Sequence, residues 1–309
     1  MIKKIFLARH YGFCMGVKRA IKIAEETAQK SQEPVTILNE IVHNETVVQK
    51  FRDDGVGQAL ALADVSAGTL IISAHGVAPS VIEEAESMGL NVVDATCPLV
   101  TVIYDVVKDK IAQDYFIIHF GDRNHDETIG VVGHAPDRIT VVGGEEELAV
   151  LPEWKERKLC LTVQTTSHMD EFAEMKRLAK QKWPHLEVSD TICMATTQRQ
   201  TAIRDLAPQV DMVIVVGSTT SANSKRLAQL AQSLCGRGVL IGSALDIRSD
   251  WFTGEDSFEN IGISAGASTP DFLVEAVVNK LMKLSGGVAE LVLPGKKRRS
   301  REAAVEESH

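Results

Sequence analysis

Three cysteines, Cys14, Cys97 and Cys193, recur at matching places along 309 residues. Each stands just before a stretch with helical periodicity. About 28 residues after each, an apolar strand-like run ends in a polar cluster: His43-Asn44, Asn124-His125-Asp126-Glu127, and Ser221-Ala222-Asn223-Ser224. Further on, each third offers a second polar end: Ser73-Ala74-His75-Gly76, Gln164-Thr165-Thr166, and Ala265-Gly266-Ala267-Ser268. Such a recurrence constrains the fold more than composition does. It predicts three similar units closing around one site, each giving a thiol and small polar groups.

Between these landmarks, strands and helices alternate. Apolar faces at helical spacing predict helices over 17–29, 99–112, 168–182, 197–206, 225–234 and 270–284. Short β-branched runs predict strands at 35–38, 69–73, 115–120, 158–163, 212–216 and 260–264. The alternation implies an α/β fold of three similar units. Their sheets are mainly parallel and arranged with pseudo-threefold symmetry around a central cavity. The expected division is an N-terminal strand joining the core (1–13) and units at 14–96, 97–192 and 193–285. A partly flexible tail (286–309) carries the basic run 296–299.

The charge balance is −9. A mildly acidic surface argues against nucleic acid as the main partner, since phosphate backbones need a basic face. No apolar run approaches the roughly 20 residues that cross a bilayer, so no membrane is expected. The first residues read as a buried strand, too short and too soon broken for a secretory signal. Five cysteines, with no close pair, suit a reduced, cytoplasmic protein better than a disulfide framework.

A thiolate before a helix is favoured by the helix dipole and its free N–H groups. Cys14, Cys97 and Cys193 all have that setting, whereas Cys160 and Cys235 read as small packing residues. Thiolates select zinc, copper(I) or iron–sulfur. Structural zinc wants four closed ligands, and three cysteines holding a cubane leave one iron free for substrate. His43, His75, His125, Thr165, Ser221, Asn223 and Ser268 sit at strand-to-helix turns, which are natural anion sites. These turns can bind phosphate, and with neither a dinucleotide fingerprint nor a Walker loop, dinucleotides and nucleoside triphosphates are not indicated. Glu127 is unexpected beside anion-binding groups and reads as a proton donor in a secluded site.

These residues resemble a known family, the 4-hydroxy-3-methylbut-2-enyl diphosphate reductases, the last enzymes of the methylerythritol phosphate route to isoprenoids. The resemblance rests on motifs in order along nearly the whole chain up to about residue 290. They are Gly12-Phe13-Cys14-x-Gly16-Val17, Val42-His43-Asn44, Ser73-Ala74-His75-Gly76-Val77, Asp94-Ala95-Thr96-Cys97-Pro98-Leu99-Val100 and Gln164-Thr165-Thr166. Ile192-Cys193-x-Ala195-Thr196, Arg199-Gln200, Asn223-Ser224-x-Arg226-Leu227 and Ala265-Gly266-Ala267-Ser268 complete the set. The resemblance implies a [4Fe–4S] cluster on Cys14, Cys97 and Cys193. It implies diphosphate binding by His43, His75, His125, Thr165, Ser221, Asn223 and Ser268, and proton relay by Glu127. Thr165 would also help order the hydroxyl and water near the cluster. The implied reaction is reductive dehydroxylation at the open iron, giving isopentenyl and dimethylallyl diphosphate. The electrons would come from an external one-electron donor such as ferredoxin or flavodoxin.

Four positions depart from the family pattern: Tyr11 for arginine, Met15 for alanine, Asp126 for proline and Ala222 for serine. Losing the serine hydroxyl costs roughly 0.5–1.5 kcal/mol if it made a net hydrogen bond. Two other readings compete: an iron–sulfur sensor or carrier without its own chemistry, and an anion-binding module of periplasmic type with structural cysteines.

Overall fold

The computed structural model describes residues 1–253 and 257–295. The basic run 296–299 lies outside the described residues. The chain begins with β1 (Lys4–Leu7), α1 (Met15–Lys30), β2 (Val35–Leu38), α2 (Glu45–Asp53), β3 (Gly57–Ala59), β4 (Thr69–Ile72), α3 (Pro79–Ser87) and β5 (Asn91–Asp94). Next come α4 (Pro98–Ala112), β6 (Phe116–Phe120), α5 (Asp126–Gly133), β7 (Ile139–Val142), α6 (Glu145–Ala149), β8 (Leu159–Val163), α7 (Met169–Lys182) and β9 (Glu187–Val188). The last part holds α8 (Met194–Leu206), β10 (Met212–Val216), α9 (Ala222–Cys235), β11 (Gly238–Ile241), β12 (Asn260–Ala265), α10 (Asp271–Leu284) and β13 (Glu290–Val292).

The strands form three parallel sheets, ordered β3-β2-β4-β5, β7-β6-β8-β9 and β11-β10-β12-β1-β13. The third sheet repeats the plan of the first two with the N-terminal strand in fourth place, Ile5 opposite Ile261. In every sheet the fourth strand runs on toward a cysteine: β5 to Cys97, β9 to Cys193 and β1 to Cys14. The threefold recurrence in sequence is thus a threefold recurrence in topology, closed by the chain's own first strand.

Apolar runs become the inner strands because helices cover both faces of each sheet. All five residues of β10 are fully buried. On one face of the third sheet lie Val274, Val277 and Leu281 of α10, and on the other Ile203, Leu206 and Leu227 of α8 and α9. Val17, Ala20 and Ala24 of α1 pack on the first sheet with Phe51 of α2. Phe172, Met175 and Trp183, on and just after α7, pack on the second. Each fully buried Leu, Ile or Phe stabilises by about 1.5–3 kcal/mol.

Three features go beyond what the sequence pattern indicates. The fold does not end at residue 285: Ala289 is buried and Leu291 of β13 pairs with Ile5. This last strand covers the edge that β1 would otherwise leave open. The strand β3 and helix α6, three and five residues long, are too short for periodicity to show. Helices α1, α8 and α9 each start two or three residues earlier than their apolar spacing suggested. In α9 the cause is Ser221, whose Oγ accepts the N–H of Ser224 at 3.3 Å. Asn223 and Ser224 therefore belong to the first helical turn. Among the described residues, no helix is long and apolar enough to cross a membrane.

Candidate active site

Cys14, Cys97 and Cys193 are the N-cap residues of α1, α4 and α8. The sulfur of Cys14 accepts the N–H of Val17 at 3.4 Å, and that of Cys193 accepts the N–H of Thr196 at 3.3 Å. Each cysteine amide also donates to a turn carbonyl in its own sheet. Cys14 reaches Ala267, Cys97 reaches Ala74 and Cys193 reaches Thr165, each at 3.0 Å. This repeated tether fixes every thiol beside a polar turn: Ser268, His75 or Thr165. All three cysteines and all eight polar residues singled out from the sequence line one cavity of about 380 Å³, a size suited to a small ligand. Cys160 is fully buried, 3.5 Å from the Ser189 hydroxyl. Cys235 ends α9. Neither lines the cavity.

The cysteine set fits a cluster better than a single ion. Among the described residues, only His43, His75 and His125 bring three ligand atoms within 4.8 Å of one another. The three sulfurs do not all lie within that distance of one another. One zinc ion with bonds of about 2.3 Å would draw them closer, whereas an iron–sulfur cubane spans a wider set. Gly16 keeps the space between two of them open: a Cβ there would collide with the Cys97 sulfur and lie 3.9 Å from that of Cys14. Burial pushes the Cys97 and Cys193 thiols up, beyond what the helix amides recover, and the nearby Cys14 sulfur adds to this. The helix setting alone therefore does not make them thiolates. A bound cation would reverse that balance.

The histidines converge from three loops. His43 and His75 stack with centroids 4.1 Å apart, and His125 meets them edge-on at 5.5 and 5.6 Å. His125 is the N-cap of α5, its Nδ1 accepting the Glu127 N–H at 3.2 Å. Nδ1 is thereby an acceptor, so Nε2 carries the proton and is a donor. Burial, then the neighbouring His43, holds the His125 pKa down to about 4, which keeps the ring neutral. Burial likewise lowers His75, and its Nε2 is buried without a partner among the described residues. The Nδ2 of Asn223 is similarly unpartnered. His43 differs, because its Nδ1 lies 2.9 Å from Glu40 Oε2. The Ser268 hydroxyl donates to the His43 carbonyl at 2.8 Å, tying the third unit's turn to the first unit's loop.

Glu127, in the first turn of α5, is buried. Its two carboxylate oxygens accept the Thr165 N–H and hydroxyl, both at 2.6 Å. Burial raises its pKa, against the lowering pull of those two bonds. A buried carboxyl with a raised pKa, facing the same cavity as three histidines and three thiols, is equipped to hold and release a proton. Asp126 occupies the first helical position of α5. Proline is favoured there, but an acid at a helix N-terminus is favoured too, so the turn survives the change. Ala222 lines the cavity at the first position of α9.

Three contributors escaped the sequence reading. Arg226 of α9 donates to Thr166 Oγ1 at 2.9 Å and pulls the Glu127 pKa downward. The Tyr104 hydroxyl donates to the His75 carbonyl at 3.3 Å. Arg199 is buried, donating to the Ala195 carbonyl at 2.9 Å and to that of Gly12. Both arginines stood inside quoted motifs, which was the available signal. Tyr104 had none, since its partner lies 29 residues away in sequence.

A profile of the family described as LytB protein matches residues 5–282. A relative from Chlamydia trachomatis is 43% identical over 92% of this chain and 92% of its own. One from Methylibium petroleiphilum is 40% identical over 92% of this chain and 86% of its own. Both are named 4-hydroxy-3-methylbut-2-enyl diphosphate reductase. The solved Plasmodium falciparum structure of the E-1-hydroxy-2-methyl-but-2-enyl-4-diphosphate reductase superposes with a TM-score of 0.90 at 32% identity, over 97% of this chain and 95% of that one. A second solved structure, described as the terminal enzyme of the non-mevalonate pathway, gives 0.66 at 34% identity, over 92% and 100%. With the profile spanning most of its length, the chain belongs to the LytB family.

Proposed function

We propose that this chain reduces 4-hydroxy-3-methylbut-2-enyl diphosphate to isopentenyl and dimethylallyl diphosphate. Two electrons and two protons enter and one water leaves. The observation that carries this reading is a pair of unpartnered buried polar atoms beside a buried carboxyl with a raised pKa. His75 Nε2 and Asn223 Nδ2 lack partners within the cavity wall, while buried Glu127 faces the same space. Unpartnered buried polar atoms cost about 1–3 kcal/mol each, and an anion that accepts from them recovers it.

Cys14, Cys97 and Cys193 would hold a [4Fe–4S] cluster, which supplies electrons one at a time and a Lewis-acid iron. His43, His75 and His125 would bind the diphosphate with Ser221, Asn223 and Ser268. His125 donates through Nε2–H. His43, whose Nδ1 faces Glu40, would turn its Nε2 edge to the ligand. Anchoring the diphosphate orients the distant hydroxyl. Glu127 gives its proton to the leaving oxygen, and Thr165 holds that carboxyl in place. The cysteines are all free, which suits a reducing compartment, the cytoplasm, with a ferredoxin or flavodoxin as electron source. The units that carry the site are 14–96, 97–192 and 193–285. A sensor or carrier of electrons has no use for a buried proton donor at this place.

The test is anaerobic turnover of the iron-reconstituted protein with a chemical reductant. Formation of both five-carbon diphosphates supports the reading. Iron-loaded protein that binds the substrate but returns it unchanged would sink it.

A further inference from the structure

Arg199 is a buried cation without a carboxylate. It stands on α8, is 4% exposed and lines the cavity wall. Its guanidinium donates to the Ala195 carbonyl at 2.9 Å and to the Gly12 carbonyl, and its Nε is buried without a partner among the described residues. Both acceptors are neutral. Among the described residues, Arg123, Arg138, Arg177, Arg204 and Arg248 pair with carboxylates and Arg199 does not. Asp271 packs against the α-carbon of Gly12 without reaching the guanidinium. Arg226, half-buried on α9, has Glu171, Glu127 and Asp122 to answer its charge.

The position of Arg199 adds to its cost. The side chain reaches back to Ala195 in the first turn of α8, the end where the helix dipole is already positive. A buried charge without a counter-charge is strongly disfavoured, and a negative group bound beside it recovers that cost. Two sulfurs stand at this place. Gly12 lies shortly before Cys14 and Ala195 shortly after Cys193, so the guanidinium joins the flanks of two cysteines. Burial lowers the Arg199 pKa, and the sulfurs of Cys14 and Cys193 are the charges that raise it. Cys97 has no such neighbour, since the charged groups acting on it are Cys14 and Glu127.

We infer that Arg199 is the counter-charge of the iron–sulfur centre and keeps its reduced state within reach of the electron donor. The inference rests on the proposed cluster. Three thiolates make a bound cubane net negative, and each electron taken up adds negative charge in a low-dielectric site. The potential of such a group follows the net charge and hydrogen bonds around it. A fixed positive charge stabilises the reduced form more than the oxidised one. Arginine suits this role because it stays charged when buried, whereas lysine readily loses its proton there. The bond to Gly12, 187 positions away in sequence, holds the charge between the first and third units.

The test is an anaerobic redox titration of the iron-reconstituted protein, followed by the electron paramagnetic resonance signal of the reduced cluster. Arg199→Gln should load as much iron as wild type but be harder to reduce. The reduction equilibrium should shift by at least about tenfold, which is about 59 mV for one electron. Arg199→Lys, which keeps a charge and loses the fork, should stay within about threefold of wild type. A wild-type potential in Arg199→Gln, or an equal shift in Arg199→Lys, overturns the counter-charge. Should Arg199→Gln retain no iron, Arg199→Lys still decides. Iron held by Arg199→Lys alone supports a requirement for charge, and loss of iron from both variants assigns Arg199 to packing and overturns the inference. Wild-type protein that takes up no iron overturns the proposed cluster itself, before any variant is compared.

Discussion

Replacing Glu127 by glutamine separates the proton from the hydrogen-bond geometry. The carboxylate accepts two bonds of 2.6 Å from one residue, Thr165. Glutamine keeps one oxygen for the Thr165 N–H, and its NH₂ can donate to the Thr165 hydroxyl, which turns to accept. Two charge-assisted bonds become ordinary ones, a loss of about 1 kcal/mol each. Removing a buried charge offsets much of that, so the fold should survive with a net change of about 1 kcal/mol. Turnover should not survive, because the amide has no proton to give: kcat should fall by about 10²–10⁴. Substrate affinity should change by only about threefold, since the interaction lost belongs to the transition state. The pH behaviour gives a second readout. Burial raises the Glu127 pKa in the folded protein, so the folded state keeps this proton above the usual glutamate range. Its contribution to stability is complete below the unfolded pKa and is lost as pH rises through the folded value. Glutamine has no such loss, so the variant should gain stability relative to wild type as pH rises across that window. Wild-type kcat should decline over the same range. Steady-state kinetics with a chemical reductant and urea unfolding at several pH values check both. A variant with kcat within threefold of wild type, or stability differences flat with pH, would refute the assignment.

Three further outcomes follow from the same geometry. Cys97→Ser should abolish iron retention and colour, whereas Cys160→Ser should leave both intact; metal analysis after anaerobic purification decides it. Thr165→Val should leave one oxygen of buried Glu127 unpaired. That should destabilise the fold by about 1–3 kcal/mol and move the pH dependence of kcat upward, measured by unfolding and by pH-rate profiles. Ala222→Ser should lower KM by up to about tenfold at constant kcat by adding a donor at the cavity wall, seen in initial rates.

Much of this architecture is visible in the chain before folding. The inner strands β4, β8 and β10 announce themselves as nearly continuous apolar runs, because sheets covered on both faces need no polar alternation. The cysteines and turn residues are legible because each stands at the junction of a strand and a helix, where backbone N–H groups need caps. What cannot be read is the partner of each element across the fold. Nothing local says that β1 completes the third sheet, or that Glu290–Val292 then covers β1. The cysteine tethers to Ala267, Ala74 and Thr165 depend on sheet order in the same way. Arg226 is a further case, since its neighbour Thr166 lies 60 residues back. Helix starts were misplaced where a cap residue, rather than an apolar face, sets the boundary.

The central claim is that three thiols hold one cluster that serves a diphosphate reduction. Its most direct measurement is iron and sulfide content beside turnover, on protein purified and reconstituted without oxygen. The account predicts about four irons and four sulfides per chain, a brown protein, and both five-carbon diphosphates as products. A colourless preparation from iron-replete cells that still binds the diphosphate tightly would contradict it.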